Sequence, residues 1–134
     1  MLNRFKVAVV GSRHFTDYNK LSSTIQEILS HYDFEHPQHL KVEFVSGGAS
    51  GADQLCETYA RNNGCSIKIF HANWSLYGKK AGPLRNQEIV NYADIIIAFW
   101  DGRSRGTKST LTIAKQLRKK TYICKFNNLF KSTF

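Results

Sequence analysis

The sequence predicts an α/β fold, a mainly parallel sheet of about five strands with helices on both faces. Three observations carry this. Apolar, β-branched runs alternate along the chain with runs of helical periodicity, the pattern of strand–helix–strand units. Several strand runs are apolar beyond their first residues, as in "FKVAVV" and "DIIIAFW", which suits strands covered on both faces. A length of 134 residues suits one compact domain, residues 1–134, with a sizeable core; no repeat, low-complexity tract or linker marks a second.

The elements follow in order. "FKVAVV" (5–10) is the first strand, and "GSRHFTD" follows it as a loop. "DYNKLSSTIQEILSHY" then places Tyr18, Leu21, Ile25, Ile28, Leu29 and Tyr32 on one helical face. "DFEHPQHL" is a polar connection to the second strand, "KVEFV" (41–45). The next helix carries Ala52, Leu55, Cys56, Tyr59 and Ala60 on its inner stripe and ends at "NNG". "SIKIF" (66–70) is the third strand; a long segment, "HANWSLYGKKAGP", precedes a helix at about 84–92. "DIIIAFW" (94–100) is the fourth strand, "DGRSRGT" a loop, "KSTLTIAKQLRKK" a last long helix and "TYICKF" (121–126) the fifth strand. The tail 127–134 is unplaced, readable as a frayed end or an oligomer contact.

Composition narrows the function. Hydrophobic residues make up 42%, too many for a disordered chain, yet no apolar run approaches a membrane span. No small-residue cleavage site precedes the first strand, so no signal peptide is expected. Cys56, Cys65 and Cys124 are odd in number and lack zinc-ligand spacing, which favours a reducing, cytoplasmic setting and buried, apolar roles. His14, His31, His36, His39 and His71 show no ligand spacing either, so neither a metal nor a cofactor is expected. The net charge of +9 implies attraction to polyanions, whether nucleotides, nucleic acid or an acidic protein.

Right-handed crossovers place the loops after strands one, two and four on one edge of the sheet, where open α/β sheets bind ligands. Those loops are "GSRHF" (11–15), "SGGASGAD" (46–53) and "DGRSRGT" (101–107), each leading into a helix whose first N–H groups attract anions. Gly47, Gly48 and Gly51 would let an anion approach the main chain, so the loop reads as a phosphate cradle; a plain turn explains it as well. Neither GxGxxG nor GxxxxGK[ST] is present, which disfavours dehydrogenases and P-loop NTPases.

"VVGSR", "VSGGASGAD", "GPLRNQEIV…AD" and "AFWDGRSRGT", in that order, resemble the SLOG superfamily over residues 5–125, and its small YspA-like branch above all. The superfamily is a Rossmann-like three-layer sandwich that includes the cytokinin-activating nucleotide phosphoribohydrolases (LOG proteins) and the DNA-processing protein A fold. The resemblance implies phosphate or ribose contacts from Gly11, Ser12 and Arg13, and a second set from Ser46, Gly47, Gly48, Gly51 and Asp53. It implies that Arg85 and Asn86 face the pocket and that Gly106 and Thr107 form a phosphate turn. Asp53 reads equally as a helix-dipole partner and as an acceptor for a ligand hydroxyl. Trp74 and Tyr77 read either as a clamp that stacks on a base or as a core cover or dimer contact. Lys79, Lys80, Arg103, Arg105 and Lys108 would draw polyphosphate inward, although each alone suits a solvated surface.

The phosphoribohydrolases carry "GTxxE", whose carboxylate serves cleavage of the base–ribose bond; here Thr110 stands at that place. Arg85, with Glu88 or Asp101 as a substitute carboxylate, is the catalytic set that remains. The resemblance therefore favours a module that senses or sequesters a nucleotide or nucleotide-derived signal, as SLOG domains do in prokaryotic defence. A phosphoribohydrolase and a single-stranded nucleic-acid binder are the alternatives. By analogy with the phosphoribohydrolases a homodimer or higher homo-oligomer is expected.

Overall fold

The structure, a computed structural model, describes residues 3–35 and 37–127. His36 and the tail from 128 to 134 lie outside the described residues. The strands are β1 (Phe5–Gly11), β2 (Val42–Ser46), β3 (Ser66–Ile69), β4 (Ile95–Trp100) and β5 (Lys120–Lys125). They form one parallel sheet in the order β3-β2-β1-β4-β5, a Rossmann-like arrangement. The helices are α1 (Tyr18–Leu29), α2 (Gln38–Lys41), α3 (Ala52–Asn62), α4 (Trp74–Tyr77), α5 (Ala81–Tyr92) and α6 (Arg105–Gln116).

Strand alternation divides the apolar residues between two cores. Val7 and Val9 of β1 join Phe44, Ile97 and Phe99 beneath α1 and α3, with Leu21, Ile25, Cys56 and Ala60. Ala8 and Val10 point the other way, with Val45, Ile96 and Ala98 against Ile89 and Val90 of α5 and Ala114 of α6. Apart from Lys6 near the start of β1, the residues of β1 and β4 are apolar because helices cover both faces of the central strands. Cys56 is buried and free, and burial raises its thiol pKa well above the ordinary value.

Four boundaries differ from the sequence reading. The helix expected at about 84–92 begins at Ala81, because Pro83 in its first turn has no N–H that the helix needs. The segment before it holds α4, capped by the Asn73 side chain accepting from the Leu76 N–H at 3.1 Å, and a 3₁₀ turn, Gly78–Lys80. The polar connection before β2 ends in α2. The last helix starts three residues early, at Arg105, and stops at Gln116, where Arg118 turns left-handed (φ 55°) and releases the chain into β5. Gly106 and Thr107 therefore belong to the first turn of α6 rather than to a loop before it.

Candidate functional site

At their carboxyl ends β1 and β4 lie side by side, with the Ser12 N–H donating to the Phe99 carbonyl at 3.0 Å. From there the chain leaves β1 for α1 on one face and β4 for α6 on the other, which opens a crevice where strand order reverses. The crevice holds a cleft of about 390 Å³, within the range of small-molecule sites. Gly11, Ser12, Arg13, Asp53, Arg85, Asn86, Asp101, Gly106 and Thr107 all line it. A second cleft, also about 390 Å³, adjoins it and is bordered by Gly47, Gly48 and Trp74. Arg13, Ala49 and Arg85 line both.

The glycine loop is built differently from the sequence expectation. Two of its amides are engaged within the protein: the Gly48 N–H donates to the Ser46 hydroxyl at 3.1 Å and the Ala49 N–H to Asp53 Oδ2 at 3.1 Å. Gly47 is bare because a Cβ there would lie 2.9 Å from the Asp53 carboxylate and 3.0 Å from the Arg85 guanidinium. Gly51, at φ 74° and ψ −128°, would drive a Cβ to 2.3 Å from the Ser12 carbonyl oxygen. Two of the three glycines thus let side chain and main chain of this protein approach each other, not a phosphate. Ser46 and Gly51 line neither cleft; the Ser46 hydroxyl is buried and bonded to Glu57 Oε2 at 2.9 Å.

Asp53 itself is buried, and burial pushes its carboxyl up to about 6 against the pull of the Ala49 N–H and the Arg85 guanidinium. A buried carboxylate repels phosphate and accepts from hydroxyls, so this end of the cleft suits a sugar. Arg85 donates through Nε to Asn86 Oδ1 at 3.0 Å and through Nη1 to the Gly47 carbonyl at 2.5 Å. Asn86 Nδ2 reaches the Gly106 carbonyl at 3.4 Å, so the Arg-Asn pair ties the loop after β2 to the start of α6.

The side of the cleft at the start of α6 suits an anion, with Arg85 between it and Asp53. The first turn of α6 has no side-chain cap and no acidic residue, while Arg105 and Lys108 sit in it and Arg103 just before it. Cations at a helix N-terminus oppose its dipole, a conflict that a bound anion relieves. Arg13 and Arg85 stand close enough that, after burial, the Arg13 charge is one of the influences that lower the Arg85 pKa. Among the described residues the one ion pair within 4.0 Å is His31–Glu27, so neither guanidinium has a carboxylate partner at that distance.

The three candidate catalytic residues separate. Glu88 is exposed on α5 and lines neither cleft. Asp101 lines the cleft, but its Oδ1 accepts from the N–H groups of Arg103 and Ser104, both at 2.8 Å. Partial burial raises its pKa, yet these bonds and the Ser12 hydroxyl outweigh it and hold the carboxyl below its ordinary value. Thr110, where the hydrolases have glutamate, is buried with its hydroxyl donating to the Gly106 carbonyl at 3.2 Å.

Thr110, at the place of the hydrolase glutamate, lines the first cleft, as do His14, Ile89 and Ser104, while His71 lines the second; the sequence does not single out these last four as pocket residues. Helical spacing holds the signal for Ile89, which stands four residues after Arg85. His71 follows β3, whose carboxyl end lies on the same sheet edge as the other loops.

This sheet order, with a basic crevice at the β1–β4 switch point, defines a Rossmann-like domain. The model of YAcAr, the YspA, cpYpsA-related SLOG family, matches residues 5–77, and the chain belongs to that family. The Gene 61 protein of Mycobacterium phage D29 is 36% identical over 117 residues, which cover 83% of this chain and 89% of the phage protein. DNA processing protein A from Streptococcus pneumoniae superposes with a TM-score of 0.72 at 20% identity, over 94% of this chain and 52% of that one. DNA processing protein A from Helicobacter pylori, a single-stranded DNA binder, gives 0.66 at 18% identity, over 90% and 65%. The chain thus spans about half to two-thirds of those two proteins, and the likeness is one of fold.

Proposed function

We propose that this protein binds a nucleotide or nucleotide-derived ligand in the crevice between the β1 and β4 loops and acts as a sensor or sequestering module. The observation that carries the reading is that Arg13 and Arg85, neither within 4.0 Å of a carboxylate among the described residues, share one cleft with the uncapped start of α6. Phosphate oxygens sit at Gly106 and Thr107 with Arg13 and Arg85 as forked donors, and Asp53 accepts from a sugar hydroxyl. Base–ribose cleavage lacks support: Thr110 supplies no carboxylate, Glu88 is remote and Asp101 is held by main-chain donors. The SLOG family and the three unpaired cysteines support a cytoplasmic setting, and we expect a homodimer or higher homo-oligomer.

Strand binding is the second reading, favoured by the fold shared with the H. pylori protein and by the charge of +9. Calorimetric titration with AMP, ADP and the other nucleoside phosphates tests the first reading. Saturable one-site binding that Arg13→Ala abolishes is the expected result, and no heat across the panel would end it.

A further inference from the structure

The second cleft adjoins the proposed mononucleotide site, and its lining adds two aromatic side chains, Trp74 and His71. Trp74 stands 52% exposed at its border, with the six-membered end of the indole close to α5, where a Cβ on Gly82 would come within 3.1 Å. His71, also exposed, is the other aromatic ring in this lining. The lining includes no acidic residue, so nothing there repels a phosphodiester or a purine edge. Each cleft alone, at about 390 Å³, lies near the lower end of the range for small-molecule sites, and they meet at Arg13, Ala49 and Arg85.

We infer that the ligand has two nucleoside units joined through phosphate. One unit fills the β1–β4 crevice, the linking phosphate sits between the Arg13 and Arg85 guanidiniums, and the second base stacks on Trp74. The inference rests on the proposed function, because the first unit occupies that same site. Two sources share this chemistry, a short strand fragment and a free dinucleoside pyrophosphate. A base stacked on an aromatic ring contributes roughly tenfold to hundredfold in affinity.

Calorimetry with AMP, the 5′-phosphorylated dinucleotide pApA and diadenosine diphosphate, on wild type and on Trp74→Ala, tests it. At least one two-unit ligand should bind wild type ten times more tightly than AMP, and which one does so identifies the source. Trp74→Ala should erase that preference, and Trp74→Phe, which keeps a stacking ring, should restore most of it. His71→Ala provides a second variant of the same lining and should reduce the preference in its turn. If AMP binds and neither two-unit ligand gains, or if the gain survives both Trp74→Ala and His71→Ala, the inference falls while the proposed function stands. If none of the three ligands binds, both fall together.

Discussion

Arg85 Nη1 donates to the Gly47 carbonyl at 2.5 Å, across the space where a Gly47 Cβ would stand. One guanidinium thereby latches α5 to the loop after β2 and borders both clefts. Arg85→Ala should weaken nucleotide binding more than tenfold, the size of a lost charge-assisted contact. Arg85→Lys should recover little, because an ammonium cannot hold Asn86, Gly47 and a phosphate in one planar fork. Calorimetry measures the affinities, and circular dichroism establishes that both variants stay folded.

Asp53 makes stability depend on pH. Its carboxyl rises from 3.8 to about 6 on folding because burial disfavours the charged form. Between these values the folded protein keeps a proton that the unfolded chain has lost. Its contribution is therefore complete below about pH 4 and is lost as pH rises through about 6. At 1.36 kcal/mol per pH unit, the loss amounts to about 3 kcal/mol. Asp53→Asn still accepts from the Ala49 N–H and does not titrate. Urea denaturation should show its stability gaining on wild type by up to that amount between pH 4 and 7; parallel curves would refute the burial argument.

Gly51→Ala should destabilise the fold and the site together. The backbone at φ 74° and ψ −128° is closed to residues with a Cβ, and an added one meets main-chain oxygens of Ser12 and Arg13 at 2.3 and 2.5 Å. Main-chain atoms on both sides leave no flexible group to give way. A loss of at least about 2 kcal/mol in urea denaturation is expected, with weaker binding because the β1 loop carries Arg13. A neutral alanine would show that the two loops do not pack as described.

The reading against hydrolysis has its own check. Purified protein incubated with AMP and related monophosphates should release no free base on chromatography, since no unencumbered carboxylate lines the first cleft besides the buried Asp53. Base release would reassign Asp53 or Asp101 as the group that activates water.

Why some of this was legible in the sequence and some was not follows from the range of the interactions. The strand runs 5–10 and 94–100 were legible because burial on both faces confines polar residues to their first positions, Lys6 and Asp94. Arg13 and Gly106 were legible as candidates because each stands just past a strand end or at a helix start, and Arg85 because it belongs to the motif "GPLRNQEIV". The role of the glycines was not, because it depends on atoms remote in sequence. Gly51 packs on Ser12, and Gly47 leaves room for Arg85. Local pattern shows that a Cβ is missing and is silent on what fills the space. The start of α5 was obscured by Pro83, which reads as a breaker but stands in a first turn.

Salt dependence separates a small ligand from a strand. A single-stranded polyanion releases condensed counterions, about 0.7 per phosphate neutralised, so log affinity falls steeply with log salt. The residues able to meet a long strand include Lys115, Lys119 and Lys120 beside β5 as well as the crevice arginines. A ligand confined to the two clefts meets chiefly Arg13, Arg85 and Arg103. A nucleotide held there should therefore lose affinity with a slope of about −1 to −2, whereas a strand contacting both regions should show a slope of about −4 or steeper. Substituting Lys115, Lys119 and Lys120 together by glutamine should leave the nucleotide curve in place and flatten any strand curve. A shallow slope for oligonucleotides that those substitutions do not change would confine strand binding to the crevice. A steep slope for the nucleotide would mean that charges beyond the clefts take part in holding it.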